Sequence, residues 1–367
     1  MRVVFDEEQR RTMLARIEDV LASGALTQGK QVACFEAGVA PILGKRALAV
    51  SGGTAALEIA LSIVGVRGGT VLVPANTFFA TAATAERLGA TVDFVDLELD
   101  GLGMDPDSLR ERLQAHRDVR AVIVVHLAGV ISPAITGVLD ECRQRGIAVI
   151  EDAAHAFGAE IGGVTAGSFG RLAAFSLYPT KVLTSVEGGI LTARDDTDFN
   201  LADTLRDHGR TEQANRHAWL GANWRMSELH AAVGSVLVER FAASQEQRTE
   251  QAKFYDERII GLSRLTRYRP PAGVRSNHYK YVCLLKPEVD RNALRRRLAD
   301  KYGVGLAGEV YDIPLHEQPY FRGRQSPGRY LRQAEWFCRH HICLPIYPGL
   351  TRFDQERVVE ALWGELA

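Results

Sequence analysis

The chain has 367 residues, of which 46% are hydrophobic and 24% are charged, so it is long enough for two domains and a large core. Its 44 Lys and Arg residues balance 45 Asp and Glu residues, which argues against binding to nucleic acid or to an anionic membrane. No apolar run approaches the roughly 20 residues that span a bilayer, and the charged N-terminus does not resemble a signal peptide, so we expect a cytoplasmic protein.

Predicted elements alternate along the first half of the chain. Apolar residues at helical spacing predict a helix over residues 7–23. The predicted strands are Ala47–Val50, Thr70–Val73, Thr91–Val95, Ala121–Val125, Ala148–Ile150 and Leu172–Phe175, and helices are predicted over Thr54–Val64 and Phe78–Leu88. Continuous apolar strands joined by crossovers predict an α/β fold with a mostly parallel sheet that is covered on both faces.

The second half of the chain predicts a different organisation. Residues from Met226 to about Ile260 contain no proline and keep a helical period, so one long helix is predicted there. A strand over residues 279–285 and a basic helix over Arg291–Tyr302 follow. We therefore predict a large N-terminal α/β domain over residues 1–245 and a smaller α+β domain over residues 246–367.

Lys181 and Asp152 are the most informative residues of the chain. Lys181 lies among small, apolar and hydroxyl side chains, and Asp152 ends an apolar run upstream. A lysine in such surroundings loses its proton near neutral pH and attacks a carbonyl, while the aspartate can hold a cationic ring nitrogen. Taken separately, the lysine is more typical of a solvated surface group and the aspartate of a helix cap. Taken together, they are typical of a site that holds pyridoxal 5'-phosphate (PLP) by its aldehyde and by its ring nitrogen.

Three further segments bring suitable groups to the same predicted sheet edge, where ligands of doubly wound sheets bind. The turn after the first strand contains Gly53 and Thr54, and its helix N-terminus suits an anion. Phe78 follows the next strand and can stack on a flat cofactor, although most phenylalanines belong to the core. His155 lies three residues after the aspartate, and Ser176 can donate a hydrogen bond to a phosphate.

These segments resemble the DegT/DnrJ/EryC1/StrS family of sugar aminotransferases, which are PLP enzymes of fold type I. The order and spacing of the matching stretches make the resemblance specific over nearly the whole chain. The matching stretches are Ser51–Leu57, Pro74–Phe78, Val149–Glu160, Phe175–Lys181, Glu187–Gly189, Gly221–Ala232 and Leu344–Thr351. The resemblance implies a mostly parallel seven-stranded sheet flanked by helices and a smaller C-terminal domain.

The resemblance also implies roles for single residues. Lys181 would be the lysine that forms the Schiff base with PLP, and Asp152 would be the partner of the pyridine nitrogen. Cofactor binding would further involve Gly53, Thr54, Phe78, His155, Ser176 and Asn223. Because the matching asparagine of the family reaches the phosphate from the neighbouring subunit, a homodimer with shared active sites is implied.

The implied activity is transfer of an amino group from glutamate or glutamine to a keto-sugar, with pyridoxamine 5'-phosphate as the aminated cofactor. A nucleotide-linked 4-keto-6-deoxyhexose is the expected acceptor. A keto-cyclitol of the inosose type is the alternative, because the stretch around Glu187 also resembles aminocyclitol enzymes. A PLP-binding regulatory protein without turnover is a further alternative. Candidate substrate contacts, each of which has an equally good structural interpretation, are Arg225, His278, Tyr311 and His316.

The cysteines and histidines predict neither a disulfide framework nor a metal site. The five cysteines are scattered and odd in number. Cys338 and Cys343 enclose two histidines, but four ligands within six residues are too crowded for one tetrahedral ion. Burial of alternate residues in this stretch is the simpler expectation.

Overall fold

The computed structural model describes residues 4–211, 213, 215–324 and 331–367. The helices are α1 (Glu7–Ser23), α2 (Lys30–Leu43), α3 (Gly53–Val64), α4 (Phe79–Arg87), α5 (Pro106–Ala115), α6 (Ile135–Gln144), α7 (Asp196–Arg206), α8 (Glu228–Glu239), α9 (Phe241–Arg258), α10 (Arg291–Tyr302), α11 (Arg332–His340) and α12 (Arg352–Leu366). The strands are β1 (Leu48–Val50), β2 (Thr70–Pro74), β3 (Thr91–Val95), β4 (Val119–Val125), β5 (Ala148–Asp152), β6 (Glu160–Ile161), β7 (Val164–Thr165), β8 (Leu172–Ser176), β9 (Gly189–Ala193), β10 (Leu265–Arg267), β11 (Val274–Arg275), β12 (Tyr281–Leu285) and β13 (His341–Leu344).

A seven-stranded sheet in the order β1-β9-β8-β5-β4-β2-β3 forms the centre of the N-terminal half. The neighbours from β8 to β3 pair in parallel, whereas β9 runs antiparallel to both β1 and β8. The prediction of a mostly parallel α/β sheet is confirmed. Strand β9 and helix α2 were not predicted from the sequence.

Both faces of this sheet are buried, as the continuous apolar strands predict. In β2, Val71 and Val73 belong to one core cluster, whereas Leu72 between them belongs to the other. Successive side chains of a strand point to opposite faces, so each strand contributes to two cores. Ligand-binding groups are therefore left to the ends of the strands.

The single long helix predicted from Met226 to about Ile260 is wrong, because the structure has two helices that meet at Arg240. Arg240 leaves the helical conformation with φ −101° and ψ 3°. The next residue, Phe241, packs its ring edge-on against Phe157 with centroids 4.9 Å apart. Gly158 leaves room for this ring, since a Cβ there would lie 2.7 Å from Phe241. The break thus follows from a contact between distant segments.

A second sheet, β10-β12-β13, lies in the C-terminal part and has a core cluster of its own. Helix α9 connects the two parts of the chain, because Phe241 belongs to a core of the large sheet and Tyr255 to the core of the small one. The predicted domain boundary between residues 245 and 246 falls within α9 and stays a prediction. Within the described ranges, no helix is both long and apolar enough to cross a membrane.

Candidate active site

A cavity of about 420 Å³ lies at one edge of the large sheet and is lined by most of the predicted cofactor residues. Eight of the residues singled out in the sequence line it together: Gly53, Thr54, Phe78, Asp152, His155, Ser176, Lys181 and Tyr311. They come from segments that are more than 250 residues apart in the chain. The ends of β1, β2, β5 and β8 bring seven of them together at one edge of the sheet, and Tyr311 joins them from the C-terminal part of the chain.

Asp152 is the last residue of β5, and only 5% of it is exposed. Its Oδ2 accepts a hydrogen bond of 2.7 Å from the hydroxyl of Thr81, and its Oδ1 accepts one of 3.2 Å from the backbone N–H of Ala154. Burial raises the pKa of this carboxyl, while the Thr81 bond acts in the opposite direction. A cationic ring nitrogen would add the charged partner that a buried carboxylate requires.

Lys181 follows β8 in a tight turn, in which its backbone N–H donates to the carbonyl of Tyr178 at 2.9 Å. Burial lowers the pKa of the Lys181 amine to about 8, although the charge of Asp152 acts to raise it. The Nζ atom lies 4.9 Å from the ring centroid of Tyr279. A substantial fraction of the amine is therefore neutral near physiological pH, as a nucleophile or a general base requires.

The turn between β1 and α3 supplies an anion-binding surface. Helix α3 begins after Gly52 with no side-chain cap, so its first N–H groups remain available. The side chain of Ser176 adjoins this turn, because a Cβ on Gly53 would lie 3.0 Å from its Cβ. Gly189 in β9 lies directly behind, where a Cβ would lie 2.4 Å from the backbone of Gly52. The glycines thus allow backbone segments and a phosphate to approach closely.

Aromatic side chains form a wall of the cavity around His155. The imidazole lies 4.3 Å from the ring of Tyr279 and 5.8 Å from that of Tyr311, between ring centroids. The ring of Phe78, which is 57% exposed, lies 6.2 Å from Tyr311. Burial, with help from the charges of Lys181 and Lys280, holds the pKa of His155 well below its usual value, so the ring stays neutral. Its Nδ1 is buried without a hydrogen-bond partner in the described residues.

Four residues singled out in the sequence lie outside the lining of this cavity. Asn223 is exposed and forms a backbone bridge with Asp207. Arg225 also pairs with Asp207, through its guanidinium. His316 lies 3.1 Å from a carboxylate oxygen of Glu335, and His278 has a positive φ of 51° in another part of the chain.

Thr81 and Tyr279 are members of the site that no sequence pattern indicated. Thr81 lies in α4, where a single threonine carries no signal that distinguishes it from its neighbours. Glu151, the neighbour of Asp152 in β5, does not line the cavity; its carboxylate accepts hydrogen bonds from the backbone N–H of Gly167 and from the ring of His126, at 2.7 and 2.8 Å.

Among the described residues, one group has the spacing of metal ligands: His316, Glu317 and Glu335. Arg339 forms ion pairs with both carboxylates, at 2.7 Å from Glu317 and 3.5 Å from Glu335. These partners account for the charges, so we assign no metal to the group. All five cysteines are free thiols, and Cys338 and Cys343 are buried.

The residues around the cavity fit PLP. The N–H groups of α3 and the hydroxyl of Ser176 suit its phosphate, the carboxylate of Asp152 suits its ring nitrogen, and the partly neutral amine of Lys181 suits its aldehyde. The unpartnered Nδ1 of buried His155 shows that the described part of the chain does not satisfy all the polar atoms of the site.

The chain is similar to known proteins along nearly its whole length. The sequence profile of the DegT/DnrJ/EryC1/StrS aminotransferase family matches residues 7–363. A pleiotropic regulatory protein of Geobacillus stearothermophilus is 30% identical over 363 residues, which are 97% of this chain and 95% of that protein. The GDP-perosamine synthase of Caulobacter vibrioides is 31% identical over 342 residues, 91% of this chain and 90% of that protein. The crystal structure of S. venezuelae DesV in complex with a ketimine intermediate has a TM-score of 0.90 at 29% identity, covering 98% of this chain and 96% of that chain.

The family match and the fold agree with each other and with the resemblance drawn from the sequence motifs. The match covers far more than half of the chain, including the segments that carry Asp152 and Lys181. Enzymes of this family use PLP, for which the cavity has fitting groups. The chain belongs to the DegT/DnrJ/EryC1/StrS family of sugar aminotransferases, and it is a PLP-dependent aminotransferase.

Proposed function

We propose that this enzyme moves an amino group from glutamate or glutamine to a nucleotide-linked 4-keto-6-deoxyhexose. The observation that carries the proposal is the meeting of Lys181 and Asp152 in one cavity with the anion-binding turn at Gly53. A relative that is 31% identical is named GDP-perosamine synthase. Because that name refers to a nucleotide-linked sugar, it supports a nucleotide-linked substrate for this enzyme.

We assign the cofactor contacts as follows. The N–H groups of Gly53 and Thr54 and the hydroxyl of Ser176 bind the phosphate, and Phe78 and His155 flank the ring. When bound, PLP supplies an electrophilic carbonyl for the amino group and an electron-accepting ring. Asp152 keeps a proton on the ring nitrogen through a charge-assisted hydrogen bond.

Lys181 moves the proton in this proposal. Its Nζ, with a pKa lowered to about 8, is sufficiently neutral to take a proton from the α carbon of the amino donor. The same atom then returns the proton within the cavity. Because burial keeps Lys181 partly neutral, the residue can serve as a base in one half of the reaction and as an acid in the other.

We further propose a cytoplasmic homodimer in which Asn223 enters the active site of the partner subunit. Asn223 is exposed and does not line the cavity of its own chain. The nearby side chain of Leu220 is 91% exposed, and Leu14 and Leu21 on α1 are 66% and 55% exposed. Large apolar side chains with such exposure support an interface with a second copy.

A regulatory protein without turnover is the second candidate, because a relative that is 30% identical is named a pleiotropic regulatory protein. The two readings differ in one observable. A transaminase loses the visible absorbance of bound PLP when an amino donor is added, whereas a binding protein without turnover keeps it.

The test is a substrate panel with the PLP-loaded enzyme. Nucleotide-linked 4-keto-6-deoxyhexoses and keto-cyclitols are each incubated with glutamate or glutamine, and mass spectrometry detects the amino product. We expect amination of a nucleotide-linked sugar. Amination of a keto-cyclitol alone would replace the proposed acceptor, and an unchanged PLP absorbance with both donors would favour the regulatory reading.

The control for the panel is Lys181→Ala. This variant keeps the surrounding fold but lacks the amine, so we expect neither product formation nor covalent attachment of PLP. Borohydride reduction followed by peptide mapping measures the attachment. A modified peptide that does not contain position 181 in the unchanged protein would contradict the assigned role of Lys181.

A further inference from the structure

A second cavity of about 370 Å³ adjoins the active-site cavity and shares Thr180 and Lys181 with it. Its other walls come from the N-terminal segment, the start of α9 and the loop after β13. Lys181 lines both cavities, so the two cavities adjoin at the residue whose amine the proposed reaction uses. The second cavity is therefore placed to hold part of a substrate.

Arg248 of α9 lines this cavity and is buried, with only 3% of its surface exposed. Its Nη1 donates to the backbone carbonyls of His278 and Ile346, each at 3.2 Å. Its Nε is buried and has no hydrogen-bond partner in the described parts of the chain. The guanidinium thus has an Nε donor that the described residues leave without an acceptor.

Arg248 also has no carboxylate partner within ion-pair distance among residues 4–211, 213, 215–324 and 331–367. Arg206, which is similarly buried, forms ion pairs with Glu36 at 2.6 Å and with Asp203 at 2.5 Å. Burial lowers the pKa of Arg248 to about 10, so the side chain remains a cation at neutral pH. A buried cation without a counter-ion is unfavourable, and a bound anion would relieve that cost.

Other polar groups of the second cavity lie at helical spacing with Arg248. Ser244 precedes it by one turn of α9, and Arg240 lies one turn before that, so the three share one face. Arg240 is already paired with Glu8 at 2.5 Å, and its side chain is 47% exposed. Arg248 is therefore the uncompensated positive charge of this face.

We propose that Arg248 binds a carboxylate of the amino donor in the second cavity, an inference that rests on the proposed function. A planar guanidinium with free donors matches one carboxylate through paired, charge-assisted hydrogen bonds. A nucleotide diphosphate carries more negative charge than Arg248 balances, since Arg240 is neutralised by Glu8 and the proposed reaction uses the amine of Lys181. The charge match therefore favours the donor over the nucleotide.

A purely structural role for Arg248 is the competing interpretation, because its two carbonyl bonds connect distant loops. Arg291 is a matched control for that role. Its Nη1 also donates to two backbone carbonyls, those of Cys338 and His341, but it does not line the second cavity. Replacing Arg291 removes a comparable structural connection without touching the proposed carboxylate site.

The experiment measures binding of unreactive donor analogues to the PLP-loaded enzyme by calorimetry. Glutarate and its monoamide replace glutamate and glutamine, and UDP, GDP and dTDP test the nucleotide alternative. For Arg248→Met we expect the Kd of at least one donor analogue to rise about tenfold or more, with unchanged affinity for the nucleotides. Arg248→Lys, which keeps a charge and is less disruptive to folding, should show a smaller rise. Arg291→Met should leave the Kd within about twofold.

Several outcomes would overturn the proposal. These are unchanged analogue affinity in both Arg248 variants, equal weakening in Arg291→Met, a loss confined to the nucleotides, and no analogue binding by the unchanged enzyme. If Arg248→Met does not fold, the Kd of the donor analogues for Arg248→Lys alone tests the proposal. Neither analogue reacts, so the result is independent of the keto acceptor. A failure of the substrate panel can thus be told apart from a failure of this inference.

Discussion

The hydroxyl of Tyr311 lies 3.2 Å from Nε2 of His155, within the cavity that we assign to PLP. Tyr311 holds this position with a φ of 99°, a conformation that side-chain-bearing residues rarely adopt. Burial raises the pKa of the phenol well above its usual value, so the hydroxyl stays protonated. This hydrogen bond holds Tyr311, whose backbone is strained, against the imidazole of His155, which we expect to flank the cofactor ring.

We therefore predict that Tyr311→Phe speeds PLP association with the cofactor-free protein. Loss of one hydrogen bond releases the ring more readily, and a rise of about two- to tenfold in the rate is expected. Stopped-flow absorbance measures the rate. Tyr320→Phe is the control, because the hydroxyl of Tyr320 donates to Glu86 at 2.7 Å outside the cavity. Equal rates in the two variants would show that the Tyr311 contact does not limit entry.

Thr81→Val should impair turnover by weakening the negative charge of Asp152. The Thr81 hydroxyl donates to Asp152 at 2.7 Å and stabilises the ionised carboxyl, so its loss raises the pKa of Asp152 further. We expect kcat to fall about tenfold and the acidic limb of the pH profile to move to higher pH. Thr84→Val is the matched control, because that hydroxyl donates to the carbonyl of Ala80 within the same helix. An unmoved acidic limb would contradict the prediction.

Gly189→Ala should weaken PLP binding by displacing the anion-binding turn. The new Cβ would lie 2.4 Å from the backbone of Gly52, and a backbone cannot yield as a flexible side chain does. We expect the Kd of PLP, measured by absorbance titration, to rise about tenfold or more. Gly305→Ala, where a Cβ meets no atom within 4 Å, should bind PLP normally. Normal binding by both variants would remove the steric argument.

His341 should make the protein less stable in acid. Its Nδ1 donates to the carbonyl of Phe337 and its Nε2 accepts from the N–H of Val310, so the folded protein requires the neutral ring. Burial lowers the pKa of His341 to about 4, below its usual value of about 6.5. The unfolded chain therefore takes up the proton first as the pH falls. The stability is complete above about pH 6.5 and is lost progressively towards pH 4, by on the order of 3 kcal/mol.

Urea unfolding at several pH values measures the His341 effect. We expect the free energy of unfolding to fall more steeply between about pH 6.5 and 4 in the unchanged protein than in His341→Leu. The variant should be less stable at neutral pH, because Val310 and Phe337 lose a hydrogen-bond partner. Identical slopes in the two proteins would exclude His341 as the source.

The sequence alone was sufficient for the parallel part of the fold and for the chemical centre of the site. Apolar strands determine the buried sheet, and the residue that follows each strand is thereby placed at a shared edge. Asp152 and Lys181 could be paired on that basis, because their separation in the chain does not matter once both follow parallel strands. These predictions rest on the helical period and on the residues of the turns, which depend only on neighbours in the sequence.

Only the tertiary structure determined features that depend on contacts between distant segments. The helix break at Arg240 follows from the packing of Phe241 against Phe157, and Thr81 joins the site because α4 faces the end of β5. The buried Nε of Arg248, which has no hydrogen-bond partner among the described residues, depends on every segment that packs around it. A sequence pattern records the polarity and spacing of neighbours, whereas pairing across the chain depends on which groups the packed core brings within hydrogen-bond distance.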